Sequence, residues 1–211
     1  MSRISFRLTL LSLFMALLTG RACAGPDKSG TAELALGAQA PAFELKGVDG
    51  KLHSLPSTED AKAVVVVFTC LSCPYARAYE DRIIALAKDY AERGVQVVAI
   101  MSNDPKIVPA DSFDKLKARS EEKQYPFRFL TDEKQSVAKA YGAQVTPHVF
   151  VFGPERTLVY RGRIDDSTDL AKVTQSDLRN ALDALLAGKE VAVASTKAFG
   201  CSIKWKKEKA S

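Results

Sequence analysis

The sequence predicts an α/β fold with a central mixed β-sheet and helices on both faces. An N-terminal β-hairpin precedes the sheet and a C-terminal tail extension follows it. Three observations carry this. Short unbroken apolar runs, Val64 to Phe68, Val95 to Met101 and His148 to Phe152, suit strands buried on both faces. Between them lie stretches with apolar residues at helical spacing, which suit crossover helices. The chain of 211 residues, less a leader, has the size of one domain with a proper core.

The leader comes first. Arg3 and Arg7 form a basic start, Leu8 to Leu18 is apolar, and Ala22-Cys23-Ala24 fits the small-x-small cleavage pattern. The apolar run is too short for a transmembrane helix. Residues 1–24 therefore read as a signal peptide, and the protein as exported to a periplasmic or other extracytoplasmic space with no membrane span after cleavage. Arg21 keeps an uncleaved anchor as an alternative, and Cys23 a lipid-modified one. The leader holds three arginines and no acid, so its removal lowers the net charge from +5 to +2. That small excess, with no basic stripe interleaved with aromatics, argues against a nucleic-acid partner.

Residues 25–34 read as a flexible N-terminus, 35–190 as the domain, and 191–211 as a tail. Leu36 to Leu45 and Lys51 to Leu55 flank Asp49-Gly50, a hairpin signal. The strand ending at Phe68 is followed by Thr69-Cys70-Leu71-Ser72-Cys73-Pro74. Ala76, Tyr79, Ile83, Leu86, Ala87 and Tyr90 then recur at helical spacing until Gly94. Cys73 thus falls at the N-cap edge of a helix with Pro74 at the first helical position. Next come a helix over Asp111 to Lys123 capped near Asp111, a strand over Phe127 to Leu130, and a helix over Glu133 to Tyr141 stopped by Gly142. Val145-Thr146-Pro147 leads into the strand His148 to Phe152. Thr157 to Arg163 returns antiparallel, and Asp177 to Leu186 forms the last helix with Gly188 as its C′ residue.

Signal removal takes Cys23 and leaves Cys70, Cys73 and Cys201, an odd number in an oxidising compartment. At a helix N-terminus the dipole and unpaired N–H groups favour an anion, and for Cys73 the anion is a thiolate. Cys70-Leu71-Ser72-Cys73 is a Cys-x-x-Cys spacing that supports dithiol chemistry if the loop turns sharply enough. Cys70 is the preferred resolving partner. Cys201 is the reserve, and needs the tail to fold back over the active edge with Trp205 as apolar anchor. No phosphate-cradling glycine loop or dinucleotide fingerprint is present, so no cofactor is expected.

These features together resemble the thioredoxin-like fold. Gly37-x-x-Ala40-Pro41-x-Phe43-x-Leu45, with Asp49-Gly50-Lys51 and Ser54-Leu55, is similar to its redoxin branch, which holds the alkyl hydroperoxide reductase/thiol-specific antioxidant proteins and the TlpA-like oxidoreductases. The nearest likeness is to a peroxiredoxin-like subgroup with Cys73-Pro74-Tyr75, Tyr160 to Asp166, and Gly200 to Trp205.

The resemblance implies thiol–disulfide exchange with protein substrates or a thioredoxin-like reductant. It also implies a cis peptide at Thr146-Pro147, with Thr146, Pro147, Pro74 and Tyr75 lining the substrate groove. The peroxiredoxin pattern Pro-x-x-x-Thr-x-x-Cys fails here. Aligned on Cys73, its Pro place is Val66 and its Thr place Cys70; aligned at the second thioredoxin position, the cysteine itself is Ala76. Thiol peroxidase is kept as an alternative because a low-pKa thiolate still reacts with peroxides. A Sco-like copper site of Cys70, Cys73 and His148 is another. Arg77 beside Cys73 could lower the thiol pKa or bind an acidic substrate, though the first turn of a surface helix commonly carries such a charge. The run Arg161, Arg163, Asp165 and Asp166 reads as a solvated salt-bridge cluster, with a second reading as a hold on the tail.

Overall fold

The computed structural model describes residues 32–57 and 59–207, so the leader, most of residues 25–34 and the last residues of the tail lie outside it. Seven strands form the main sheet. These are β1 (Glu44–Gly47), β2 (Leu52–Ser54), β3 (Ala63–Phe68), β4 (Val95–Met101), β5 (Arg128–Thr131), β7 (His148–Phe152) and β8 (Leu158–Gly162), in spatial order β2-β1-β5-β4-β3-β7-β8. The pairs β3–β4 and β4–β5 are parallel; β1–β2, β1–β5, β3–β7 and β7–β8 are antiparallel. The sheet is mixed, and β3 lies inside it with every residue buried. The long apolar run has that cause, since alternate residues feed two cores.

Val65 and Val67 pack with Tyr79, Ile83 and Leu86 of α1 (Pro74–Ala91) and with Leu178 and Leu182 of α4 (Asp177–Leu186). Val64, Val66 and Phe68 face the other way, onto Val137, Ala138 and Tyr141 of α3 (Ser136–Tyr141). A third cluster joins Cys70, Cys73, Met101 and Phe129 to Leu116 of α2 (Phe113–Lys123).

Two helices start later than the sequence suggests. Asp111 lies in a 3-10 turn before α2, its carboxylate turned away from that helix. Gln135 takes a left-handed conformation (φ 58°) ahead of α3. The Asp132 carboxylate bonds the Ala138 N–H from outside, so the Glu133–Gln135 segment is a turn.

One element has no local signal. Val145–Thr146 (β6) pairs antiparallel with Cys201–Ser202 (β9), with Thr146 opposite Cys201. The tail reaches this ribbon along β8, where the Thr196 N–H donates to the Arg161 carbonyl and the Arg161 N–H to the Ala194 carbonyl. Ile203 is the tail residue buried in the core, with Trp205 packed half-buried beside it, so the apolar anchor is Ile203 first and Trp205 second.

Candidate active site

Strand β3 delivers the chain to the sheet's C-terminal edge, and Cys73 becomes the N-cap of α1 with Pro74 at its start. The Ala76 N–H donates to the Cys73 sulfur at 3.4 Å. A protonated Cys73 donates in turn to the Thr146 carbonyl at 3.2 Å. The Thr146-Pro147 peptide is cis, as the resemblance implies. Cys70 comes from the strand side. Its sulfur lies 3.3 Å from Thr146 Oγ1 and 3.7 Å from Ser72 Oγ. All three described cysteines are free thiols.

The loop between the two cysteines is fixed by a residue that sequence reasoning placed elsewhere. Asp111 is fully buried. Its Oδ1 accepts the Leu71 and Ser72 N–H groups at 2.8 and 2.9 Å, and its Oδ2 accepts the Ser72 hydroxyl and the Asn103 side-chain amide, both at 2.7 Å. Four donors on one carboxylate turn the loop and set the separation of the cysteines. The sequence reads Asp111 as a helix cap, and nothing near it in the chain points to a loop 40 residues away.

The electrostatics divide the thiols. Cys73 is pulled down to about 4, first by the hydrogen bond from Cys70, then by the Cys201 side chain, the Ala76 N–H and the Cys201 N–H, all working against burial. Cys70 is pushed well above the ordinary thiol range, because it is the partner that holds its proton toward Cys73, because it is buried, and because Asp111 is anionic beside it. Cys201 is raised to about 11 by burial and by the neighbouring Cys73. These shifts favour one thiolate flanked by two thiols. Hydrogen bonding to the charged form outweighs desolvation here. Arg77 is not among the groups that lower Cys73; it lines a small cavity behind Cys70, where Arg119 and Glu80 are ion-paired.

Thr146 and Pro147 are buried beside the cysteines, while Pro74 and Tyr75 are exposed at the rim. The Tyr75 ring meets Phe199 of the tail edge-on, centroids 6.1 Å apart. Cys73 itself is only 2% exposed under this cover.

His148 is buried with both ring nitrogens unpartnered, its ring tilted against Phe150 and its Nε2 3.8 Å from Glu33. Burial, with Arg161 nearby, lowers it to about 4. The side chain packs with the core rather than with the cysteines. Among the described residues no group of three His, Cys, Asp or Glu side chains is placed to hold a metal, so the copper ligand set of Cys70, Cys73 and His148 is not assembled. The charged run near β8 separates into pairs, Arg82–Asp165 at 2.7 Å and Arg163–Asp177 at 2.6 Å, while Arg161 supports the tail backbone.

A model of the AhpC/TSA family matches residues 36–161. Among solved structures, a hypothetical protein from Sinorhizobium meliloti is 39% identical, with 85% of this chain and 99% of that one covered and a TM-score of 0.78. An uncharacterized conserved protein from Geobacillus kaustophilus is 42% identical, covers 88% of this chain and 100% of its own, and also has a TM-score of 0.78. A putative thiol:disulfide interchange protein, DsbE, from Chlorobium tepidum is 23% identical over 73% of this chain and 99% of that one, with a TM-score of 0.56, a likeness of thioredoxin-like fold. No curated protein matches.

Proposed function

The chain belongs to the AhpC/TSA family, and from that premise we propose that it is a thiol–disulfide oxidoreductase in which Cys73 is the nucleophile. The observation that carries this is the placement of one sulfur. Cys73 caps α1 and accepts the Ala76 N–H, and the Cys70 and Cys201 thiols beside it add to an arrangement that favours the thiolate.

The thiolate attacks one sulfur of a partner disulfide, and the other sulfur leaves as a thiolate that takes a proton from solvent. Cys70 and Cys201 both approach Cys73 and can displace the partner from the resulting mixed disulfide. Thr146 offers backbone groups beside the reacting sulfur, Pro147 with Pro74 and Tyr75 shapes the groove, and Asp111 positions the loop. With the leader reading of residues 1–24, the reaction takes place outside the cytoplasm. The partners are thiol- or disulfide-bearing proteins or a thioredoxin-like reductant.

A second reading, thiol peroxidase, is favoured by one observation. Cys73 is nearly closed off, and a peroxide is small enough to reach a site that a polypeptide cannot enter without rearrangement. Two measurements separate the readings. Cys73→Ser should abolish exchange between a model disulfide and a dithiol, and retention of full exchange would remove Cys73 from the role. Stopped-flow oxidation of the wild-type protein by hydrogen peroxide should be no faster than for an ordinary thiolate of the same pKa. A rate orders of magnitude above that, with turnover when a dithiol is supplied, would favour the peroxidase.

A further inference from the structure

The groove beside Pro147 is occupied by the chain itself. β9 lies antiparallel to β6 with Cys201 opposite Thr146, whose carbonyl oxygen is 3.2 Å from the Cys73 sulfur, so the tail brings a cysteine to the same place on an extended backbone. The strand continues with the Ile203 N–H donating to the Gln144 carbonyl at 3.0 Å. Its fit is selective at one position. A Cβ on Gly200 would lie 2.1 Å from the Thr146 carbonyl oxygen and 2.7 Å from its carbon, both backbone atoms, so no residue but glycine is accommodated before the cysteine. On one side Phe199 packs against Tyr75 and Tyr79. On the other, Lys204 is clamped by Asn103 Oδ1, the Asp104 N–H and Gln135 Nε2.

We infer that residues 199–203 are a tethered substrate: the groove accepts an extended polypeptide with glycine directly before its cysteine, and Gly200-Cys201 fills it until an outside partner displaces the tail. The inference rests on Cys73 as nucleophile. It makes Cys201, rather than Cys70, the thiol that completes the reaction. Once Cys73 has formed a mixed disulfide with a partner, Cys201 gives up its proton to solvent and attacks the Cys73 sulfur. The Cys73–Cys201 bond forms, the bond to the partner breaks, and the partner leaves as a thiolate that is protonated by solvent. The partner disulfide has then gained two electrons and become two thiols. Cys73 and Cys201 have lost two, to be restored by an external dithiol. Cys70 keeps its proton throughout, consistent with its burial beside Asp111.

The test uses the full chain, reduced, with oxidised glutathione as the probe and disulfides mapped by mass spectrometry. Wild type should yield Cys73–Cys201, and Cys201→Ser should stop at glutathione on Cys73. Gly200→Val should raise the iodoacetamide labelling rate of Cys73 about tenfold by unseating the tail. A disulfide-linked peptide containing Phe-Gly-Cys-Ser-Ile should be reduced about tenfold faster than its Phe-Val-Cys-Ser-Ile counterpart. If wild type and Cys201→Ser both yield Cys70–Cys73, or the two peptides react equally, the tethered-substrate proposal falls while Cys73 remains the nucleophile. If Cys73 neither labels nor forms any disulfide in wild type and in Gly200→Val, the nucleophile itself is wrong. Cys201→Ser leaves the strand backbone intact, so its disulfide pattern decides the matter even where Gly200→Val fails to fold.

Discussion

The cysteine loop and the tail strand that covers it are held by opposite means. The loop is joined at both ends to buried elements, β3 and α1, and its turn is fixed by a carboxylate with no contact to solvent. The tail is held by a two-residue ribbon, two backbone bonds to β8, the buried Ile203 with the partly buried Phe199 and Trp205, and polar clamps from Asn103, Asp104 and Gln135. The loop therefore belongs to the cooperative core, whereas the tail can open locally at a fraction of the global stability. A proposed nucleophile that is rigid under a releasable cover suits exchange with a large partner.

This contrast can be broken from either side. The largest effect is expected at Asp111. Asp111→Ala leaves the Leu71 and Ser72 N–H groups and the Asn103 amide without their acceptor, which should cost about 3 kcal/mol. Urea unfolding reads the loss directly, and exchange activity should fall with it because the loop no longer sets the cysteine spacing. An unchanged midpoint would mean that the loop holds its shape without the carboxylate.

A smaller global effect is expected at Ile203. Ile203→Ala removes the tail's main apolar anchor, at a cost of about 2 kcal/mol if the tail stays seated and less if it detaches. Hydrogen exchange should show protection lost at residues 144–146 and 201–204 and retained in β3 and α1. Loss of protection in α1 as well would show that tail and loop form one cooperative unit.

At neutral pH the smallest effect belongs to His148. Its folded-state pKa lies below the ordinary value, so below about pH 6.5 the unfolded chain binds a proton that the folded chain refuses. Stability is full above that range and falls as the pH drops from about 6.5 toward about 4. His148→Leu should remove this slope, a difference on the order of 3 kcal/mol at the acid end, while leaving the cysteine chemistry unchanged.

The same contrast explains what the sequence discloses. The sheet, its crossovers and the N-cap place of Cys73 are written in contiguous stretches, where period and punctuation suffice. The cis step at Thr146-Pro147 follows from the resemblance and from its position before a buried strand. Asp111 is invisible because its four donors lie on Leu71, Ser72 and Asn103, and a carboxylate at the start of a polar helix has a sufficient local explanation as a cap. The tail is half legible. Gly200 to Trp205 stands out as a segment, and folding back over the active edge is the condition for Cys201 to act. The pairing of Cys201 with Thr146, and the reason for glycine at 200, depend on a backbone carbonyl more than fifty residues away. Spacing singles out Cys70 as the partner of Cys73; the structure brings both Cys70 and Cys201 to it, and the pairing of the tail with Thr146 is the ground for proposing Cys201.

The central claim is that residue 73 carries a thiolate at neutral pH. Its direct test is the rate of iodoacetamide labelling at Cys73 as a function of pH, followed by peptide mass spectrometry so that Cys70 and Cys201 are read separately. Because only the thiolate reacts, the labelling should be nearly flat from pH 8 to pH 5 and fall only as the pH approaches about 4. A midpoint near the ordinary thiol value, with labelling rising through pH 8 to 9, would contradict the account.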